Sequence, residues 1–402
     1  MRPSPDDMGA GMDRSVADIV VVGLGAMGAA TLWQLAARGA DVIGIDMFGP
    51  PHEMGSSHGE TRITRQAVGE GEALVPLALR SNEIWQAIEA ETGARLLTRN
   101  GCLLISDPDD RVERPGRTGF LARTRAAAAR FGIAHEVLDA AEIRHRHPQF
   151  AVGDGDVAYF EPGGGYLRPE ACVEAQLQLA ARAGAQLRLG TRVQGLRPDP
   201  GGRQVEVITD AGTVVAGQVV VSAGARAAAL LGPATGRWLK PTRQMLHWFA
   251  VDPDALAMWQ GGPVFIWPHG TGATDFFYGF PAIGGTVKTA TENYAGTVDP
   301  DAMGRTVTPA DHARMFETHM ATRLRGVGPG AVRGRVCLYT QTPDSGFVID
   351  THPEHPGITV VSPCSGHGFK HSAAIGEAVS QRLLDGASRI DLSAFTLARF
   401  GA

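Results

Sequence analysis

Cysteine is scarce: the 402 residues hold four, Cys102, Cys172, Cys337 and Cys364, and no two are near neighbours. No CxxC pair is present to build a zinc site, so no metal is expected, and the count is too low for the disulfide framework of a secreted domain. A reduced, cytoplasmic setting fits. An excess of positive charge is missing too, since 37 Lys and Arg against 42 Asp and Glu give a net charge of -5. Nucleic acids and anionic membranes are bound through concentrated positive charge, so neither is expected as a partner. No apolar run approaches the roughly 18 residues of a membrane span. The first 17 residues, MRPSPDDMGAGMDRSVA, lack the apolar stretch of a secretory signal and read as a disordered tail. The C-terminal LARFGA carries no peroxisomal address. What remains is a chain with 44% hydrophobic residues, long enough for two domains and a large core, whose partner is a small molecule.

Residues 18–22, DIVVV, form a continuous apolar run of the kind buried in a parallel sheet. Gly23, Gly25 and Gly28 follow as GxGxxG. The first permits a tight turn, the second lets the backbone approach a pyrophosphate, and the third lets the following helix pack on the sheet. The helix N-terminus suits an anion. Leu32 and Leu35 face the sheet, Gly39 ends the helix, and DVIGID is a second strand closing on Asp46, placed about twenty residues on to take ribose hydroxyls. Strand, turn, helix, strand and acid agree on an adenine dinucleotide, NAD or FAD.

Later segments bear on that choice. Residues 205–224 alternate through a DAG turn and end in an apolar strand, a hairpin returning to a sheet. Residues 358–368, ITVVSPCSGHG, are a strand meeting glycines, and an amphipathic helix follows, stopped at Gly386. A second helix thus starts at a glycine turn near the chain's end, which an isoalloxazine needs and NAD does not. Residues 75–92 and 116–131 read as helices, and 263–294 as aromatic strands of an antiparallel wall. The fold class is α/β: a Rossmann-like FAD-binding domain with a discontinuous second domain on a mainly antiparallel sheet plus helices. The expected division gives 18–96, 159–232 and 338–402 to FAD binding and 97–158 and 233–337 to the substrate.

With MGSSHGETRITRQAVGEGEALVPLALR after Asp46, then RVCLYTQTPDSGFVIDTHP and SGHGFKHS, the chain resembles the monomeric sarcosine oxidase and N-methyltryptophan oxidase family from about residue 18 to residue 398. The resemblance implies an FAD enzyme that oxidises a secondary amine, sarcosine-like or N-methyltryptophan-like, by hydride transfer to flavin N5, releasing hydrogen peroxide as O2 is consumed, and it suggests a monomer. A lone strand cysteine is ordinarily a core residue. The family position of Cys337, however, carries the flavin 8α thioether, so a covalent FAD is expected there, with the other three cysteines as packing residues.

The resemblance also assigns roles to residues that composition alone would leave as surface charges. Arg65 and Lys370 become a clamp on the substrate carboxylate, one planar and bidentate, the other a point charge. Thr61, Arg62 and His58 lie near the flavin, Gly366, His367 and Gly368 near its polar edge and the substrate. Lys288, on a strand where 288, 290 and 292 share a face, becomes the cation that favours electron transfer to oxygen. Tyr278 keeps the family's pocket tyrosine. Glu292 stands where a pocket histidine is usual, Ile266 replaces a methionine beside Trp267, and the loop at Val68 lacks a tyrosine, so sarcosine itself is not assured as substrate. A cyclic amino acid is the alternative substrate. The rival readings are an NAD dehydrogenase, which leaves SGHGFK unexplained, and a flavin-binding subunit without turnover, for which Lys288 would have no use.

Overall fold

The computed structural model describes residues 14–107, 109, 118–272 and 274–401. Its centre is β1 (Arg14–Val22), whose Ile19, Val20, Val21 and Val22 are all buried. β1 runs parallel to β2 (Val42–Asp46) on one side and to the strand Gly212–Val221 on the other. α1 (Ala26–Ala36) joins β1 to β2 and buries Ala29, Leu32 and Leu35. Gly39 follows with φ of 83°, a left-handed conformation that stops the helix. β1 begins earlier than expected. Residues 14–17 pair with Thr213–Ala216, so they are strand rather than disordered tail, because the Val205–Val221 hairpin is long enough to offer them a ladder. Residues 1–13 lie outside the described residues.

The hairpin Val205–Thr209 and Gly212–Val221 with its neighbour Val193–Pro198, the strand Gln186–Leu189, and the C-terminal pair Val348–His352 and His355–Ser362 complete an eight-stranded sheet. The terminal helix Ser372–Asp385 lies against α1 so closely that a Cβ on Gly376 would stand 2.5 Å from the carbonyl carbon of Ala30. It ends at Gly386, as the sequence indicates.

The second eight-stranded sheet is antiparallel except where Val264–Pro268 runs parallel to Cys102–Ser106. Phe276–Gly279 and Thr286–Ala290 extend it, aligning Ile266, Tyr278 and Ala290 in one row. Its aromatic core gathers Phe150, Trp259, Phe265, Trp267 and Phe277. At roughly 1.5–3 kcal/mol for each large apolar side chain taken from water, this cluster stabilises the second sheet. Two expected boundaries are corrected. Val157–Glu161 and Val327–Gln341 each lie wholly in this sheet, paired with Cys102–Ser106 and Lys240–Val251, so divisions at 158/159 and 337/338 cut through strands. The helix expected at 116–131 spans Phe120–Arg130 after Gly119 in the left-handed region, and residues 116 and 117 are not among those described. Arg62–Thr64, Gly165–Leu167 and Leu97–Arg99 form a separate three-stranded sheet.

Candidate active site

One cavity of about 710 Å³ runs from the glycine turn after β1 to the turn before the terminal helix. That volume lies within the range of cofactor and ligand sites. Its first end is built by necessity from glycine. Gly23 has φ of 87°, and a Cβ there would stand 2.6 Å from the Ala223 Cα. A Cβ on Gly28 would fall 1.7 Å from the Gly23 carbonyl oxygen, so helix and turn touch backbone to backbone. Gly25 lines the cavity with Ser57, whose hydroxyl accepts from Ala26 N at 3.0 Å. Asp46 reaches the cavity from the end of β2. Its carboxylate accepts from Leu24 N at 2.7 Å and Phe48 N at 2.8 Å, which fixes its orientation. Arg226, which the sequence reading missed, lines the same end, stacked over Phe48 at 5.4 Å and paired with Asp301 at 2.7 Å.

The far end is lined by Arg62, Arg65, Glu70, Phe120, Tyr278, Glu292, Tyr339, Cys364 and Gly366–Lys370. Gly366 has φ of 86° and packs where a Cβ would meet the Tyr339 ring at 2.6 Å, while a Cβ on Gly368 would collide with the Pro363 carbonyl at 1.7 Å. Lys370 donates to the His367 carbonyl at 2.9 Å, and His367 stacks on Phe347 at 4.7 Å with its Nε2 3.0 Å from the Ser345 carbonyl. Arg62 donates to the carbonyls of Ser56 and Thr61 at 2.6 and 2.9 Å. Arg65 is paired with Glu70 at 2.5 Å and lies 5.2 Å over the Phe120 ring. Behind it the buried Glu161 accepts from Gln66 N, Ala67 N and the Tyr159 hydroxyl at 2.6, 3.1 and 2.9 Å, fixing the backbone that carries the arginine. Tyr278 is hydrogen-bonded to Tyr339, and burial pushes its phenol up to about 12. Tyr339 was missed, although strand alternation puts it on the same face as Cys337, two residues earlier.

Four residues expected at the ring end, His58, Thr61, Lys288 and Cys337, stand one layer behind the wall. Lys288 is buried and donates to the carbonyls of Gly59 and Thr61 at 2.6 and 2.7 Å and to the Thr61 hydroxyl at 3.2 Å. Burial, and then the Arg62 charge, push its pKa well below that of an ordinary lysine. The Gly59–Thr61 loop it holds is also pinned by Glu170, which accepts from Gly59 N at 2.6 Å. His58, next to that loop, is lowered to about 3 by burial and the Arg62 and Lys288 charges, so it is neutral at ordinary pH. Cys337 is buried in a small cluster with Leu246, Trp248, Ala290 and Tyr339. Burial raises its thiol pKa, against the pull of Arg62 and Lys288. Cys364, expected only to pack, is the cysteine on the cavity wall itself.

The residues fit an extended dinucleotide: a glycine turn and a carboxylate at one end, a second glycine turn with cations at the other, and one cavity between. This is the architecture of a flavoprotein oxidoreductase. The chain belongs to the family of FAD-dependent oxidoreductases, whose sequence pattern matches residues 18–382. It is 37% identical to a monomeric sarcosine oxidase of Bacillus sp. (strain B-0618), over 95% of this chain and 96% of that one. It is 35% identical to an N-methyl-L-tryptophan oxidase of Yersinia pestis (strain Pestoides F), over 95% and 99%. Among solved structures it is similar to NikD, an unusual amino acid oxidase essential for nikkomycin biosynthesis, with a TM-score of 0.79 and 25% identity over 95% and 97% of the two chains. The α/β fold and an enzymatic, FAD-dependent role are thereby established. Among the described residues, no helix is long and apolar enough to cross a membrane.

Proposed function

We propose that this protein is an oxidase of secondary amines of the N-methyl amino acid class, acting as a monomer in the cytoplasm and passing electrons to O2 with release of hydrogen peroxide. The observation that carries the reading is the cavity's far end, where Arg65 and Lys370 line the wall beside Tyr278 and the Gly366–Gly368 turn. Its relatives' names, sarcosine oxidase and N-methyl-L-tryptophan oxidase, support it.

When bound, FAD supplies the hydride acceptor at N5 and the means of returning electrons to oxygen. Gly23, Gly25, Gly28 and Asp46 would hold its adenine end, and Thr61, Arg62, His58, Gly366 and Gly368 its ring end, with Cys337 as the residue that would anchor it covalently. Arg65 and Lys370 hold the substrate carboxylate, and binding orients the carbon beside nitrogen toward the ring. Their positive charge also disfavours an ammonium nearby, so the amine is taken up in its neutral, reactive form without a side-chain base. Lys288, fixed in a water-poor layer, stabilises negative charge developing on oxygen.

The test is peroxide release by purified holoenzyme offered sarcosine, N-methyl-L-tryptophan, proline and glycine. Peroxide formed in step with oxygen uptake on the secondary amines is expected. A yellow protein that turns over none of them, or prefers glycine, would refute the reading.

A further inference from the structure

Glu292 is a carboxylate on the wall of the substrate end for which the reaction above has no role. It is 5% exposed and lines the cavity with Tyr278, Tyr339 and Gly366. Its position is built rather than incidental. Thr291 Oγ1 donates to the Phe276 carbonyl at 2.6 Å, and Asn293 is gripped by Gln244, N to Oε1 at 2.8 Å and Nε2 to O at 2.6 Å. One carboxylate oxygen accepts from the Tyr294 hydroxyl. The other lies 3.1 Å from where a Cβ on Gly366 would stand, so the absence of a side chain there keeps its place open.

The wall presents Arg62, Arg65 and Lys370 together with two carboxylates; Glu70 is paired with Arg65 at 2.5 Å, and Glu292 is the complement of positive charge arriving with the substrate. The reacting amine is the wrong bearer of that charge. A carboxylate beside it would stabilise the ammonium and raise its pKa, keeping a proton on the lone pair that assists C–H cleavage. We propose that Glu292 receives a second, cationic nitrogen on the substrate's side chain, remote from the reacting amine, and that the protein oxidises basic N-alkyl amino acids. The proposal rests on the amine oxidase reading above. Such a substrate is held at two points of opposite charge, its carboxylate by Arg65 and Lys370 and its distal cation by Glu292, which fixes its orientation in a way one clamp does not.

Two experiments on the holoenzyme test this. Calorimetric titration compares ε-aminocaproate with caproate, and γ-aminobutyrate with butyrate, ligands that carry the carboxylate with or without a distal ammonium and have no α-amine to oxidise. Wild type is expected to prefer one of the ω-amino ligands by at least about tenfold, and Glu292→Gln to lose that preference. Steady-state kinetics then compares Nα-methyl-lysine with N-methyl-norleucine. Their kcat/KM ratio is expected to favour the basic substrate by about tenfold or more and to collapse toward one in Glu292→Gln. Should that variant fail to retain flavin, Glu292→Asp is expected to show an intermediate ratio. Equal binding of the members of both ligand pairs by wild type, or a ratio that survives in Glu292→Gln, would overturn the proposal, as would N-methylserine outranking the lysine derivative. If nothing on the panel releases peroxide, the oxidase reading fails, while the titrations still decide what Glu292 binds.

Discussion

Arg65 and Glu70 form an ion pair of 2.5 Å whose side chains are only 4% and 7% exposed. Arg65 also donates to the Ala67 carbonyl at 2.5 Å. A substrate carboxylate arriving at Arg65 therefore competes with a resident one. The buried pair costs desolvation, and removing one partner leaves a buried charge, a loss of about 3–5 kcal/mol in comparable cases.

Glu70→Gln is accordingly expected to do two opposite things. Without ligand, its melting temperature falls, because Arg65 loses its counter-ion. With a carboxylate ligand, much of that loss is recovered, and KM for a carboxylate-bearing substrate drops several-fold. Thermal unfolding with and without ligand, together with steady-state kinetics, checks both. A raised KM with no extra stabilisation by ligand would mean that Glu70 helps to hold the substrate instead of competing for its partner.

Two cysteines lie at the ring end of the cavity, Cys337 in the cluster behind the wall and Cys364 on it, with Cys364 Sγ 3.3 Å from Thr340 N. Acid precipitation distinguishes them. Wild type and Cys364→Ser should give a yellow pellet, and Cys337→Ser a colourless pellet with free flavin in the supernatant. The opposite pattern would move the anchor to Cys364, and a colourless wild-type pellet would rule out covalent attachment.

The legible parts of the molecule are those governed by short periods. DIVVV, the GxGxxG turn and the strand ending at Asp46 follow from local patterning, and all stand where that patterning puts them. The terminal helix is equally local, its stop at Gly386 set by one residue's freedom to adopt positive φ. The site's charge pairing is another matter. Glu170 holds the Gly59 amide across 111 residues, and Lys288 reaches the Gly59 carbonyl across 229. No period records such contacts. Even Glu70, close to Arg65 in sequence, sits in a loop where spacing says nothing about which way a side chain turns. The strand register beyond Arg14 escaped for a related reason: it depends on the length of a hairpin two hundred residues away.

Lys288 is held by three oxygens of the Gly59–Thr61 loop and lies 4.7 Å from the Phe280 ring centroid. Those three acceptors favour the ammonium form against the burial and the Arg62 charge that lower its pKa, and a cation so fixed needs no reorganisation when negative charge develops nearby. Lys288→Met is therefore expected to slow reoxidation of the reduced enzyme by oxygen about 10²–10³-fold, the usual effect of losing one preorganised charge donor. Anaerobic reduction by substrate should change much less. Stopped-flow measurement of the two half-reactions separates them. Equal slowing of both would make the lysine a support for the loop, with no specific part in the oxygen step.

Buried and half-buried histidines give the fold an acid limit. His58 and His247 are lowered to about 3, and His147, His269 and His319 to about 4, in each case mainly by burial. His247 meets His312 at 2.9 Å and His269 meets His319 at 2.9 Å, so the helical segment Pro309–Met320 is tied to the second sheet by two imidazole pairs. A group whose pKa is lower folded than unfolded binds fewer protons in the native state, so its contribution is complete above the unfolded value of 6.5. That contribution is lost as pH falls toward 3 to 4, the folded values. The melting temperature should thus be nearly flat just above pH 6.5 and fall steadily below it. His247→Asn and His319→Gln should each lower it at neutral pH while making the decline on acidification shallower. A wild-type melting temperature that holds constant down to about pH 4 would contradict the neutral state of these rings.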